Sequence, residues 1–136
     1  LAQCSGRCTI VVFSCARGAD ASALAAADTV VIPLLCTGML PPAFVEYALR
    51  GGADGVFVST CRHGGCDFRL GDRWTSERLL GQREPHLRKT VPASRLQLYP
   101  AAARDSGALA DELADFRTRL GTVSDDRLPS YQRKAP

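Results

Sequence analysis

Three runs of hydrophobic residues organise the first half of the chain, and polar or glycine-containing stretches separate them. They cover about residues 9–15, 29–35 and 55–60. The third is nearly continuous in apolar and β-branched residues, as expected for a strand buried on both faces of a parallel sheet. A shorter run, Leu96–Tyr99, predicts a fourth strand at a sheet edge. The pattern therefore predicts about four strands.

Helical patterns alternate with these strands. We predict an alanine-rich helix over residues 19–27, because alanine has the highest helix propensity. A second helix, 42–50, has an apolar stripe and ends at a glycine pair; the stripe contains Phe44, Val45, Ala48 and Leu49. A third covers about 72–83 and carries Trp74, Leu79 and Leu80. The last covers about 106–120, with an apolar stripe of Leu109, Leu113, Phe116 and Leu120.

This alternation predicts an α/β fold of the doubly wound, Rossmann- or flavodoxin-like kind, with a mainly parallel sheet of about four strands flanked by helices. We expect one domain over residues 9–121. Residues 1–8 are interpreted as an N-terminal extension or the remnant of a preceding region, and residues 122–136 as a flexible tail. Since the chain begins with leucine, we expect it to be processed, trimmed or cut from a longer polypeptide.

Composition narrows the functional classes. The chain has 136 residues, of which 46% are hydrophobic and 23% charged, with a formal net charge of +3. That charge is too small to indicate nucleic-acid binding. Prolines interrupt the uncharged stretch 29–45, so no membrane span is predicted, and no signal peptide is visible. We expect a cytoplasmic protein, in which cysteines more often bind metals or carry redox chemistry than form structural disulfides.

Four of the six cysteines follow predicted strands. Cys15, Cys36 and Cys61 each end one of the three hydrophobic runs, and Cys66 follows the last of them after a loop with two glycines. Parallel strands open their carboxyl ends onto one sheet edge, where doubly wound domains bind ligands and cofactors. Glycines allow a tight turn, so the two sulfurs of the loop can face one ion or cluster. The spacing predicts a metal or iron–sulfur site.

Several alternatives stay open at this point. Zinc also accepts four thiolates, although the scattered spacing fits an iron–sulfur cluster better than two zinc knuckles. Cys61 and Cys66 could instead serve a thiol-redox enzyme, with His63 as a base. His63 could also be a ligand, a proton donor or an exposed loop residue. Cys4 and Cys8 precede the first strand, and we interpret them as idle thiols or as part of a preceding cluster domain.

Specific segments show a family resemblance. Val-Val-Phe-Ser-Cys at 11–15, Leu-Cys-Thr-Gly at 35–38, and residues 52–72 resemble the methyl-viologen-reducing hydrogenase delta subunits, also called hydrogenase iron–sulfur subunits. The resemblance covers about residues 9–120. Its most specific part is Gly-Ala-Asp-Gly at 52–55 leading into the Cys-x-x-Gly-x-Cys loop at 61–66. The chain departs from the family pattern after the first strand, where the family usually has a Cys-Cys-x-x-Cys group and this chain has Cys15 alone.

The resemblance implies an electron-transfer protein that holds a 2Fe-2S cluster and has no catalytic residues of its own. By resemblance, the cluster ligands are Cys15, Cys36, Cys61 and Cys66. Proteins of this family pass electrons between a hydrogenase or other dehydrogenase and a flavin- and cluster-containing partner, such as the A-type component of a heterodisulfide reductase. We therefore expect protein redox partners in a larger complex, docking near Arg62, Arg69 and Arg73.

Overall fold

A computed structural model describes residues 8–16, 18–61, 71–89, 91–101 and 105–122. Four parallel strands form one sheet in the order β2-β1-β3-β4; they are β1 (Ile10–Cys15), β2 (Thr29–Leu34), β3 (Gly55–Thr60) and β4 (Leu96–Pro100). The α-helices are α1 (Pro42–Arg50), α2 (Gly71–Leu79) and α3 (Ser106–Leu120). Short 3-10 turns lie at Ser22–Leu24, Thr37–Met39 and Ala93–Arg95. The predicted doubly wound α/β class is confirmed.

The two central strands set the register of the sheet. Ile10 of β1 lies opposite both Thr29 of β2 and Gly55 of β3, so the strands start level. At the other end, Ser14 of β1 lies opposite Ser59 of β3. Strands that start level and have equal length also end level, and the carboxyl ends of β1, β2 and β3 therefore share one edge.

Helices cover both faces of this sheet. On one face, Ile10, Val12 and Phe57 pack against α3, whose side chains Leu109, Leu113, Phe116 and Leu120 are all buried. On the other face, Phe13, Val56 and Val58 pack against α1 and α2. All six residues of β3 are buried, because this strand has neighbours on both sides and helices on both faces. The predicted stripe of α3 and the two-sided burial of β3 are confirmed.

The alanine-rich segment is not a helix, and the prediction over 19–27 is wrong. Only Ser22–Leu24 forms a 3-10 turn, and the backbone is extended at Ala25. The Asp20 carboxylate accepts a hydrogen bond from the Ser22 backbone N–H at 2.9 Å, which competes with helical geometry. A short helix depends on tertiary packing, and alanine methyl groups contribute little buried area. Ala19 and Ala21 instead pack singly into the core.

Helix α1 has the predicted bounds but a different buried face. Pro42 occupies its first turn, where a missing N–H leaves no hydrogen bond unmade, and Gly52 follows with a φ of +114°. Phe44, predicted on the apolar stripe, is 54% exposed, whereas Glu46 is buried. Helix α2 also differs: it ends at Leu79 rather than near 83, and Leu80 is 63% exposed.

Glu46 tolerates burial because two arginines hold its carboxylate. Arg88 donates from Nε and Nη2 to Oε2 at 3.1 and 2.8 Å, and Arg50 donates from Nη2 to Oε1 at 3.3 Å. The hydrogen bonds from Arg88 are the largest cause of a lowered Glu46 pKa, while desolvation opposes them. The carboxylate thus stays ionised in a buried position and joins α1 to the segment that follows α2.

No helix within the described ranges combines the length and apolar character needed to cross a bilayer. The cytoplasmic location and the domain boundaries stay predictions.

Candidate metal centre

Three of the four predicted ligands lie at the carboxyl edge of the sheet. Cys15 is the last residue of β1, Cys61 directly follows β3, and Cys36 comes two residues after β2. All three side chains are buried, with 3%, 4% and 5% exposure for Cys15, Cys61 and Cys36. None of them is in a disulfide bond. Cys66 lies outside the described residues.

Cys15 and Cys61 form a close pair of thiols. Their sulfur atoms are 2.9 Å apart. That separation is too long for a disulfide, whose bond is about 2.05 Å. It is also within about 1 Å of the spacing of about 3.8 Å between two sulfurs bound to one tetrahedral metal through bonds of about 2.3 Å. A small rotation of either side chain would suit both sulfurs to one metal ion.

Cys15 and Cys61 lie at the point of the sheet where the direction of the strand connections changes. The chain passes from β1 to β2 on one side of the sheet and then returns to β3 on the other side of β1. The connections therefore diverge between β1 and β3, and a crevice at such a switch point is where doubly wound domains bind ligands. Cys15 and Cys61 end the two strands that flank this point.

Cys36 is held in a different way, by the 3-10 turn that follows β2. It caps the turn with an extended backbone (φ −151°, ψ 133°), and its sulfur accepts a hydrogen bond from the Gly38 backbone N–H at 3.3 Å. The Gly38 carbonyl in turn accepts a hydrogen bond from Arg78 Nη1 of α2 at 3.2 Å. Backbone N–H groups that donate to cysteine sulfur tune the reduction potentials of iron–sulfur sites.

Within the described ranges, no three side chains of His, Cys, Asp and Glu are close enough to hold a metal ion. Of the predicted ligands, the structure thus brings together Cys15 and Cys61. It places Cys36 at the same edge without completing a three-residue group. The predicted loop residues Cys66, His63, Arg62 and Arg69 lie outside the described residues. The four-ligand set therefore stays a prediction.

Two further residues of this edge were not found from the sequence. Gly38 could have been found, because a glycine two residues after a capping cysteine is a typical N–H donor to sulfur. No local sequence pattern predicted Arg78, because its contact with Gly38 joins residues that are 40 positions apart. The interpretation of Cys8 as an idle thiol is wrong, because this residue is 7% exposed and takes part in a disulfide bond.

A cavity of about 270 Å³ opens beside the thiol pair. Its lining includes Cys15 together with the polar residues Ser14, Asp20 and Ser22. The Asp20 pKa is lowered by the hydrogen bonds from Ser22. The cavity thus borders Cys15 on the side of the β1–β2 connection.

Comparison with known proteins settles the family. A model described as methyl-viologen-reducing hydrogenase, delta subunit, matches residues 8–123. The chain belongs to this family. The resemblance noted from the sequence is thereby confirmed over the strands and helices that surround the candidate metal centre.

Individual relatives of this delta-subunit family member are of two kinds. An iron–sulfur subunit of the F420-non-reducing hydrogenase vhc of Methanococcus voltae is 38% identical over 45 residues, which are 32% of this chain and 31% of the relative. A subunit of the ferredoxin/F(420)H(2)-dependent CoB-CoM heterodisulfide reductase of Methanosarcina acetivorans is 33% identical over 93 residues, which are 68% of this chain and 12% of the relative. The chain thus spans less than a third of the length of these curated relatives.

Proposed function

We propose that this chain is an electron-transfer module with one 2Fe-2S cluster, which relays single electrons within an oxidoreductase complex. Its donor is a dehydrogenase or hydrogenase, and its acceptor is a flavin- and iron–sulfur-containing partner subunit. The observation that carries the proposal is the pair of buried thiols, Cys15 and Cys61, at the topological switch point of the sheet. No bond of a substrate is made or broken on this domain.

The donor set supports iron–sulfur chemistry. Cys15, Cys36, Cys61 and Cys66 would hold the cluster, because iron–sulfur clusters take four cysteine thiolates. The cluster would supply a reversible one-electron change. The chain excludes water by burying Cys15, Cys36 and Cys61, and it donates the Gly38 N–H to the Cys36 sulfur. The Gly38 N–H stabilises negative charge on the Cys36 sulfur, whereas burial shields the sulfurs from solvent; neither contribution needs a catalytic acid or base.

The names of the relatives support the kind of complex. One group consists of hydrogenase iron–sulfur subunits, and the other consists of heterodisulfide reductase subunits. In the second group the matching region is only 12% of a long chain. A similar module is therefore part of a longer oxidoreductase subunit there, which supports a role as one module of an oxidoreductase complex.

The deciding experiment is anaerobic purification followed by iron and sulfide assays and electron paramagnetic resonance of the reduced protein. We expect about two irons and two sulfides per chain and a rhombic signal. A colourless protein with one zinc ion per chain would refute the cluster and establish a structural zinc domain instead. A metal-free protein with thiol–disulfide exchange activity would establish a thiol-redox enzyme.

Matched variants assign the site. Cys15→Ser and Cys61→Ser should each lose most of the iron, whereas Ser14→Ala should keep it. Ser14 is a buried neighbour on the same strand, 4% exposed, and its substitution removes no sulfur. Circular dichroism of each variant checks that the fold is intact. An unchanged iron content in both cysteine variants would show that the metal site does not lie at the switch point.

A further inference from the structure

An arginine in the last turn of α2 contacts the turn that carries Cys36. Arg78 Nη1 donates to the Gly38 carbonyl at 3.2 Å, and the N–H of the same glycine donates to the Cys36 sulfur at 3.3 Å. Arg78 is itself fixed, because its carbonyl accepts a hydrogen bond from the Leu87 N–H at 3.0 Å. Gly38 is therefore held on one side by Arg78 and on the other by the Cys36 sulfur.

The guanidinium of Arg78 has donor capacity beyond this contact. Its Nε atom is buried, and it has no hydrogen-bond acceptor among the described residues. A buried N–H of a cationic group is costly without an acceptor, and an anionic acceptor relieves that cost best. A guanidinium group also carries a positive charge. The carboxyl edge thus has a cation beside the Cys36 turn.

This charge matters for a cluster held by thiolates. Two ferric ions, two sulfides and four thiolates carry a net charge of about −2, and the one-electron reduced form carries about −3. A fixed positive charge stabilises the more negative form more strongly, which raises the reduction potential. A loss of the same charge lowers it.

We propose that Arg78 is a positioning residue for Cys36 that also raises the reduction potential of the site. This inference rests on the proposed function. Through the Gly38 carbonyl, Arg78 fixes the turn so that the Gly38 N–H points at the Cys36 sulfur, and its guanidinium contributes positive charge to the same edge. Arg78 donates no proton and touches no substrate.

The test compares Arg78→Gln and Arg78→Lys with Arg83→Gln. Arg83 is the control; it follows α2, its side chain is 43% exposed, and its Nε lies 3.1 Å from Glu77 Oε1. Redox titration monitored by electron paramagnetic resonance should show a roughly tenfold smaller equilibrium constant for reduction of Arg78→Gln, which corresponds to a potential about 59 mV lower. The equilibrium constant should fall less in Arg78→Lys, because lysine keeps the charge, and Arg83→Gln should change it less than about twofold.

A second measurement uses the metal-free protein. Cys36 is 5% exposed, so its alkylation by iodoacetamide requires the turn to open. We expect Arg78→Gln to accelerate labelling of Cys36 several-fold and to leave labelling of Cys15 unchanged. Arg83→Gln should leave both rates unchanged. Mass spectrometry of the labelled peptides gives the two rates separately.

The outcomes separate the inference from the function. If the protein binds iron and sulfide but Arg78→Gln has the reduction potential of Arg83→Gln, the inference about charge is wrong and the proposed function stands. If the protein binds no cluster, the proposed function and the effect on the potential fall together. The labelling rates then still decide whether Arg78 positions Cys36, and equal rates in both variants overturn that part.

Discussion

The close thiol pair predicts one specific disulfide in the metal-free protein. After removal of any bound metal with a chelator, treatment with diamide should oxidise Cys15 and Cys61 to a disulfide and reduce the azo reagent to a hydrazine. The sulfurs need to approach by only about 0.9 Å to reach bonding distance.

The expected effect on stability follows from the loop that the new bond closes. Cys15 and Cys61 are 46 positions apart. A cross-link over a loop of that length lowers the entropy of the unfolded chain by an amount equivalent to about 4 kcal/mol at 25 °C. For a domain of this size, this corresponds to a rise of roughly 10–15 °C in the melting temperature, less any strain introduced by the bond.

Mass spectrometry provides the assay. The oxidised protein should be lighter by two hydrogen atoms, and peptide mapping after alkylation should place the bond between Cys15 and Cys61. Calorimetry of the diamide-treated and the untreated metal-free protein, both without a reductant, measures the change in melting temperature and leaves the disulfide of Cys8 intact in both samples. The Cys36→Ser variant should form the same bond, whereas Cys15→Ser should not. A disulfide that joins Cys61 to any other cysteine, or no disulfide at all, would refute the paired arrangement.

Further predictions concern the packing that supports the site. Gly55→Ala should destabilise the domain by about 1–3 kcal/mol in chemical denaturation, because the new Cβ would lie 2.6 Å from Leu120 Cδ1 in the core. Gly107→Ala is its control, since among the described residues no atom outside the chain neighbours and the helix's own backbone lies within 4 Å of that Cβ, and it should stabilise the domain by about 0.5–1 kcal/mol. An equal effect of the two substitutions would contradict the packing of β3 against α3. Glu46→Gln should cost about 1–3 kcal/mol at pH 7, since Arg88 loses an ionised acceptor. Because the Glu46 pKa is lowered in the folded state, the ionised carboxylate stabilises the fold at neutral pH, and this stabilisation is lost as the pH falls below about 4.3. The difference in free energy of unfolding between Glu46→Gln and the wild type should therefore be smaller at pH 3 than at pH 7.

Much of the fold could be predicted from hydrophobic periodicity. The strands of the sheet and helix α3 bury long apolar patterns, and such patterns leave little choice of secondary structure. The segment at 19–27 could not be predicted from propensity, because a short alanine-rich stretch has no broad apolar face to bury. Phe44 was misplaced for a different reason: a helix pattern shows which residues share a face, but not which of them become covered, and Phe44 lines a groove beside Ile32 and Leu34 while it stays 54% exposed.

The site was predictable to the extent that it follows from topology. Cysteines at strand ends converge because parallel strands share an edge, and this placed Cys15, Cys36 and Cys61 correctly. The strand order was not predictable, so the adjacency of Cys15 and Cys61 emerged only from the structure. Arg78 depends on how α2 packs against a turn 40 residues earlier, and no local pattern contains that information.

At the carboxyl edge, two cysteines are held by strands and one by a 3-10 turn, and this difference predicts the order in which the parts of the site open. Cys15 and Cys61 are attached to strands that are hydrogen-bonded on both sides, and such backbone opens only when the whole domain unfolds. Cys36 caps a single 3-10 turn, which can open by itself at a much lower free-energy cost. In the proposed cluster-bound form, oxygen and chelators should therefore gain access first from the Cys36 side, and iron should remain longest on the strand pair. Damage to the centre would then begin at one ligand and stay reversible as long as the sheet is intact.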